Sequence, residues 1–114
     1  MSHEKYQSCI NACYECATEC KHCEIVCLEA ENVKDLIECI RLDSECASMC
    51  LFAANMMSAG STFSEEICQL CSIVCNTCAE ECEVHKNMDH CKKCAEACRR
   101  CAEECKKMSS ESLI

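Results

Sequence analysis

"CINACYECATECKHCEIVC", residues 9–27, places six cysteines in nineteen residues at gaps of 4, 3, 4, 3 and 4, with no glycine or proline among them. At about 100° per residue, that alternation gathers the six thiols into an arc of roughly 80° on an α-helix. The stretch therefore predicts a helix with one face made of sulfur. The same 3–4 rhythm marks the inward positions of helical bundles, which puts that face inside.

The pattern recurs down the chain. Cys9, Cys13, Cys16, Cys20, Cys23 and Cys27 are followed by a sparser set, Cys39, Cys46 and Cys50. Two more dense ladders come next: Cys68, Cys71, Cys75, Cys78 and Cys82, then Cys91, Cys94, Cys98, Cys101 and Cys105. Glycine occurs once, at Gly60, and proline is absent, which disfavours turn-rich sheet architectures. The predicted fold is all-α, an antiparallel up-down-up-down four-helix bundle with its cysteines lining the core. It forms one domain over residues 1–114, with helices over roughly 4–30, 33–58, 63–85 and 89–108 and a frayed tail at 109–114. Asn32 reads as the N-cap of the second helix, Thr62 with Glu65 as a capping box for the third, and Asn87 with Asp89 as the turn before the fourth.

An apolar stripe flanks the sulfur: Ile10, Tyr14, Ala17 and Leu28 on the first helix; Ile67, Leu70 and Val74 on the third. The second carries Leu36, Ile37, Ile40, Leu42, Leu51, Phe52, Met56 and Met57, more than one seam requires. These residues are expected to seal the core, and any surplus facing outward suits a contact between subunits.

Nineteen cysteines in 114 residues demand a chemical reason. As plain core residues they would bury less area than leucine or valine and carry an oxidation hazard. Disulfides within a helix fail on distance, because Cβ atoms three or four residues apart lie about 5–6 Å from each other and a disulfide needs about 3.8 Å. Disulfides between helices stay open geometrically. The opening residues have neither the basic region nor the apolar stretch of a secretory signal, so a reducing cytoplasmic setting is expected. An odd thiol count also cannot pair completely within one chain. No apolar run is long enough to span a bilayer. The net charge of −9 excludes the basic footprint that nucleic-acid binding needs.

Metal binding remains. Two thiolates one turn apart can converge on an ion, and charge then selects which ion. Each four-thiolate zinc site would leave a net −2 in a dry interior, at high cost. Copper(I) is soft, prefers thiolate, and accepts two or three ligands. At one Cu(I) per cysteine the loaded core is neutral. Nineteen buried thiolates could not coexist without cations, so the empty protein should hold neutral thiols, which pack as small apolar groups and let the bundle fold before loading. A zinc or cadmium thiolate buffer, metallothionein-like in role, is the alternative. An enzyme is not expected, because no site combines an open metal position with a separate acid or base.

With these ladders in view, the chain resembles the copper storage protein family, and its cytosolic branch in particular. The likeness rests on the dense ladders, on "CIRLDSEC" at 39–46, and on the histidine-bearing turn "EVHKNMDHC" at 83–91. The resemblance implies a bacterial four-helix bundle that binds many Cu(I) ions through cysteine pairs and bridges between helices. It also implies assembly into homotetramers and copper storage or sequestration without catalysis. Copper ions are the expected partner, exchanged with a copper chaperone or chelator, with no nucleic acid and no membrane.

Four further residues are candidates for the mouth or for secondary ligation. Asp43 takes the inward slot between Cys39 and Cys46, as an oxygen ligand, as a structural or gating group, or as a partner for Arg41 or a nearby lysine. His85 and His90 lie at the end that also holds Cys27 and the cysteine-free start of the second helix, which reads as the mouth. His3 and His22 lie off the seam and are expected at the surface. Met57 is in phase with the seam at the opposite end, near Met56 and Met108.

Overall fold

The computed structural model describes residues 2–109, with side chains from Glu4 onward. Helix α1 spans Gln7–Leu28, α2 Ile37–Ser58, α3 Ser64–Val84 and α4 Asp89–Ser109. Short 3-10 turns, Ser2–Tyr6 and Val33–Leu36, lead into α1 and α2. The Cα envelope measures 47 × 24 × 17 Å. Among the described residues there are no strands. His3's side chain and the tail beyond Ser109, for which fraying was expected, lie outside them.

Each helix packs against the two that flank it in a closed ring, α1 on α2, α2 on α3, α3 on α4 and α4 on α1. The directions alternate. The start of α1 meets the end of α4 through Cys9 and Cys105, and its end meets the start of α4 through Cys27 and Cys91. Likewise Cys39 at the start of α2 faces Cys82 at the end of α3.

Small residues make this packing possible. Ala12, Ala17, Ala47, Ala53, Ala54, Ala79, Ala95 and Ala102 are buried beside the thiols, so helix backbones approach closely around a narrow interior. Tyr6, Ile10, Leu36 and Met57 are the larger groups buried with them, and Leu36 and Met57 cover opposite ends. Two ion pairs clasp α4 from outside, Arg99 to Glu83 of α3 at 2.8 Å and Arg100 to Glu15 of α1 at 2.9 Å. Both are exposed and contribute about 0–1 kcal/mol each.

The helix ends correct the sequence reading. Asn32 makes no side-chain cap, and its carbonyl accepts from the Asp35 N–H at 2.9 Å. The Thr62–Glu65 capping box does not form. The α2 terminus sets the entry to α3 instead: Gly60 adopts φ 67°, its N–H bonds Met57 O, and Ser61 N–H bonds Met56 O, both at 3.0 Å. This is a Schellman closure, which only glycine enters without steric penalty. Ser61 Oγ then accepts from Phe63 N–H at 3.0 Å, so Ser64 rather than Thr62 opens the helix.

The flanking apolar residues divide. Ile10 and Ala17 are buried, whereas Tyr14, Leu28, Ile37, Leu51, Phe52 and Leu70 are each about half exposed and do not seal the core.

Candidate metal site

All nineteen cysteines are buried and none is in a disulfide. The helical rhythm turns every thiol to the bundle axis, where neighbouring Sγ atoms stand 3.5–4.0 Å apart. That is beyond a sulfur–sulfur bond and within weak S–H···S contact. Pairs form along a helix, as Cys16 with Cys20 at 3.9 Å, and between neighbours, as Cys46 with Cys75 at 3.7 Å. They also cross the diagonal, where Cys50 of α2 reaches Cys101 of α4 at 3.8 Å. The thiols thus form a connected column rather than separate pockets.

Within the column, sets of four sulfurs lie within 4.8 Å of one another: Cys13, Cys71, Cys101 and Cys105; Cys16, Cys46, Cys50 and Cys75; Cys20, Cys78, Cys94 and Cys98. Cys16 and Cys20 join a further set with Cys46 and Cys98, so single thiols belong to more than one group. With metal–sulfur bonds of about 2.3 Å, sulfurs 3.5–4.0 Å apart subtend roughly 100–120° at a shared ion. Three-coordinate or tetrahedral soft cations fit that spacing, and shared thiols suit bridged clusters. At the His90 end, the Cys27 thiol is pushed up to about 11, by desolvation first and then by nearby Cys39.

Among the described residues, Asp43 is the one carboxyl in the column. Neither Arg41 nor a lysine pairs with it; Arg41 binds Glu38 at 2.6 Å on the surface. Its Oδ1 instead accepts from the thiols of Cys78 at 3.3 Å, Cys94 at 3.4 Å and Cys82 at 3.5 Å, and Cys39 lies 3.9 Å from Oδ2. Burial, then the nearby Cys94, pushes its carboxyl up to about 11, so it is neutral at pH 7. The sequence marked its inward slot but not its partners, which are thiols of α3 and α4 together with Cys39 of α2 itself.

The histidines separate. His90 Nε2 lies 3.4 Å from Cys27 Sγ and joins Cys23, Cys27 and Cys91 in a four-ligand group at one end of the bundle. His85 is at the same end but binds Glu81 at 3.1 Å, a partner signalled by the i,i+4 spacing and overlooked in the sequence reading. His22 is exposed. At the far end Met57 is fully buried and its Sδ accepts from the Cys68 thiol at 3.5 Å.

Fold and site together define a class, a helical bundle whose core is a continuous run of reduced thiols suited to soft metal ions. The family model for Csp, copper storage protein, matches residues 2–110, and the chain belongs to the copper storage protein family. That family stores a metal rather than catalysing a reaction. Among solved structures, the chain is similar to the Cu(I)-bound Copper Storage Protein BsCsp3, from Bacillus subtilis, at 46% identity and TM-score 0.87, over 90% of this chain and 96% of that one. It is similar also to a cytosolic copper storage protein from Streptomyces lividans holding five coppers, at 36% identity and TM-score 0.91, over 96% and 95% of the two chains. A cysteine-rich protein of Bacillus subtilis, YhjQ, is 45% identical over 70 residues, 60% of this chain; the chain spans 65% of that curated relative's length.

Proposed function

We propose that this protein stores Cu(I), binding many ions, near one per cysteine, inside the bundle. The ligands are Cys9, Cys13, Cys16, Cys20, Cys23, Cys27, Cys39, Cys46, Cys50, Cys68, Cys71, Cys75, Cys78, Cys82, Cys91, Cys94, Cys98, Cys101 and Cys105. His85, His90 and Asp43 act around the mouth or as secondary donors. The observation that carries this reading is the unbroken column of nineteen reduced thiols, each within bridging reach of others.

Charge explains the choice of ion. In the empty protein the thiols are protonated and the column is neutral. Each Cu(I) displaces one proton and leaves a neutral Cu–S unit, so loading never accumulates buried anions. Zinc at four thiolates per ion would leave two negative charges per site. The copper-loaded relatives named above support the same choice.

The setting we propose is the cytosol, in keeping with the cytosolic Streptomyces relative and the reduced thiols. Among the described residues no helix is long and apolar enough to cross a membrane. The protein assembles as a homotetramer, using the exposed apolar faces of α1 and α2, and exchanges copper with a chaperone or chelator at the His90 end.

Anaerobic titration tests the reading. Cu(I) should saturate near nineteen ions per chain, one per thiol. Saturation with zinc near a quarter of the thiol count, together with failure to take up Cu(I) beyond that level, would reverse the assignment.

A further inference from the structure

Of the four helices, α2 has a seam that breaks its run of cysteines from within, at Asp43. Leu36, Cys39, Asp43, Cys46, Cys50, Ala53 or Ala54, and Met57 follow at steps of three or four, and all are fully buried. Met57 therefore occupies the rung where a further ligand of α2 would stand. The three other helices end their ladders beside it. Cys9 of α1 lies 3.5 Å from Cys105 of α4. The thiol of Cys68, the first cysteine of α3, lies in the neighbourhood of both. Its S–H is directed at Met57 Sδ, 3.5 Å away. The last layer at this end is thus four sulfurs from four helices, three thiols and one thioether.

Resting on the copper-storage reading, we propose that Met57 Sδ is a copper ligand, forming with Cys68 and with Cys9 or Cys105 a mixed thioether–thiolate site for the terminal Cu(I). In the middle of the column an ion finds thiols both above and below it. At the end the ladder stops, and the terminal ion needs a donor from outside the thiol count. A neutral donor completes its coordination without adding an anion that no further Cu(I) would cancel. The mouth has a similar arrangement, where the His90 imidazole lies 3.4 Å from Cys27. Both ends of the column therefore finish on soft or borderline donors. Leucine would fill the rung equally well as packing and without the oxidation hazard of a thioether. On binding, the Cys68 proton leaves to solvent, Cu⁺ takes its place between Cys68 Sγ and Met57 Sδ, and no electron changes hands.

The test uses selenomethionine-labelled protein loaded anaerobically with Cu(I), read by selenium K-edge X-ray absorption alongside the copper content of the same sample. One of the six methionines should show a selenium–copper scattering path. In Met57→Leu, a swap of similar volume that keeps the core filled, that path should vanish while copper capacity falls by no more than about one ion per chain, the terminal site. A copper-loaded protein without the path, or a path that survives in Met57→Leu, overturns the inference and leaves storage intact. A protein that takes up no copper overturns both.

Discussion

Replacing Asp43 by asparagine should make the copper-free bundle more stable at neutral pH and leave it unchanged in acid. The folded chain holds this carboxyl near 11 against an ordinary 3.8, because it is buried among thiols and no cation faces it. A raised value means that the folded state binds the proton more tightly than the unfolded chain. The benefit is complete below about pH 3.8 and is lost as pH rises towards 11. Each unit in that window costs about 1.4 kcal/mol, so the wild type at pH 7 sits about 4 kcal/mol below its value at pH 4 on this account. Asparagine has nearly the same shape and keeps an oxygen that Cys78, Cys82 and Cys94 can reach, but it does not titrate. Urea unfolding of both reduced, metal-free proteins at pH 4, 5.5 and 7 measures the effect. Subtracting one protein from the other cancels the surface acids, which are common to both. The difference should grow with pH, in favour of Asp43→Asn, to about 4 kcal/mol at pH 7. A difference that does not change with pH would mean that Asp43 is ionised in the fold or exposed to solvent, and the account of a neutral column would fail.

Other outcomes follow from the same geometry. Anaerobic loading in weak buffer should release about one proton per Cu(I), measured by a pH indicator or stat, and a ratio far below one would show that the thiols were ionised beforehand. His90→Ala should slow Cu(I) uptake from a chelator several-fold in stopped-flow while changing final capacity by no more than about one ion, since His90 touches only the Cys27 end of the column; an unchanged rate would remove it from the mouth. Leu51→Glu, on the half-exposed face of α2, should shift the assembled protein towards smaller species in light scattering without altering helicity, and an unchanged mass would place the subunit contact elsewhere.

Three of the helices were legible because their thiols recur at 3 and 4 and every one of them is turned inward. The inward face of α2 was harder to read, since Asp43, Ala53, Ala54 and Met57 share its seam with only three cysteines. Phase alone still placed Asp43 and Met57 on that seam. What phase could not supply was partnership across the bundle. The cation nearest to Asp43 in sequence is Arg41, yet the partners of Asp43 are thiols 35, 39 and 51 residues away. The helix caps were misread for a related reason. Thr62 and Glu65 satisfy a local rule, but the Schellman closure at Gly60 and the burial of Ser64 set where α3 begins. The outward residues Tyr14, Leu51 and Phe52 were hydrophobic enough to look like core, and nothing in one chain's periodicity says which apolar residues wait for a second chain.

The unequal sharing of sulfur has a physical consequence. A bundle with full ladders on all four helices would have a core of thiols and alanines alone, with little apolar area to stabilise it before metal arrives. Helix α2 carries Leu36 at its start and Ala53 and Ala54 towards its end, all fully buried, so it supplies conventional packing where its neighbours supply mostly ligands. Its one polar intrusion, Asp43, stays uncharged and is bonded by thiols from α3 and α4. The apo bundle can therefore hold its shape with the column empty, which keeps the thiols converged and spares each incoming ion the cost of ordering the chain around it. Small thiolate domains that fold only around their metal bear that cost at the first ion bound. In this chain the cost is met by α2, and the other three helices are left free to line the column with sulfur.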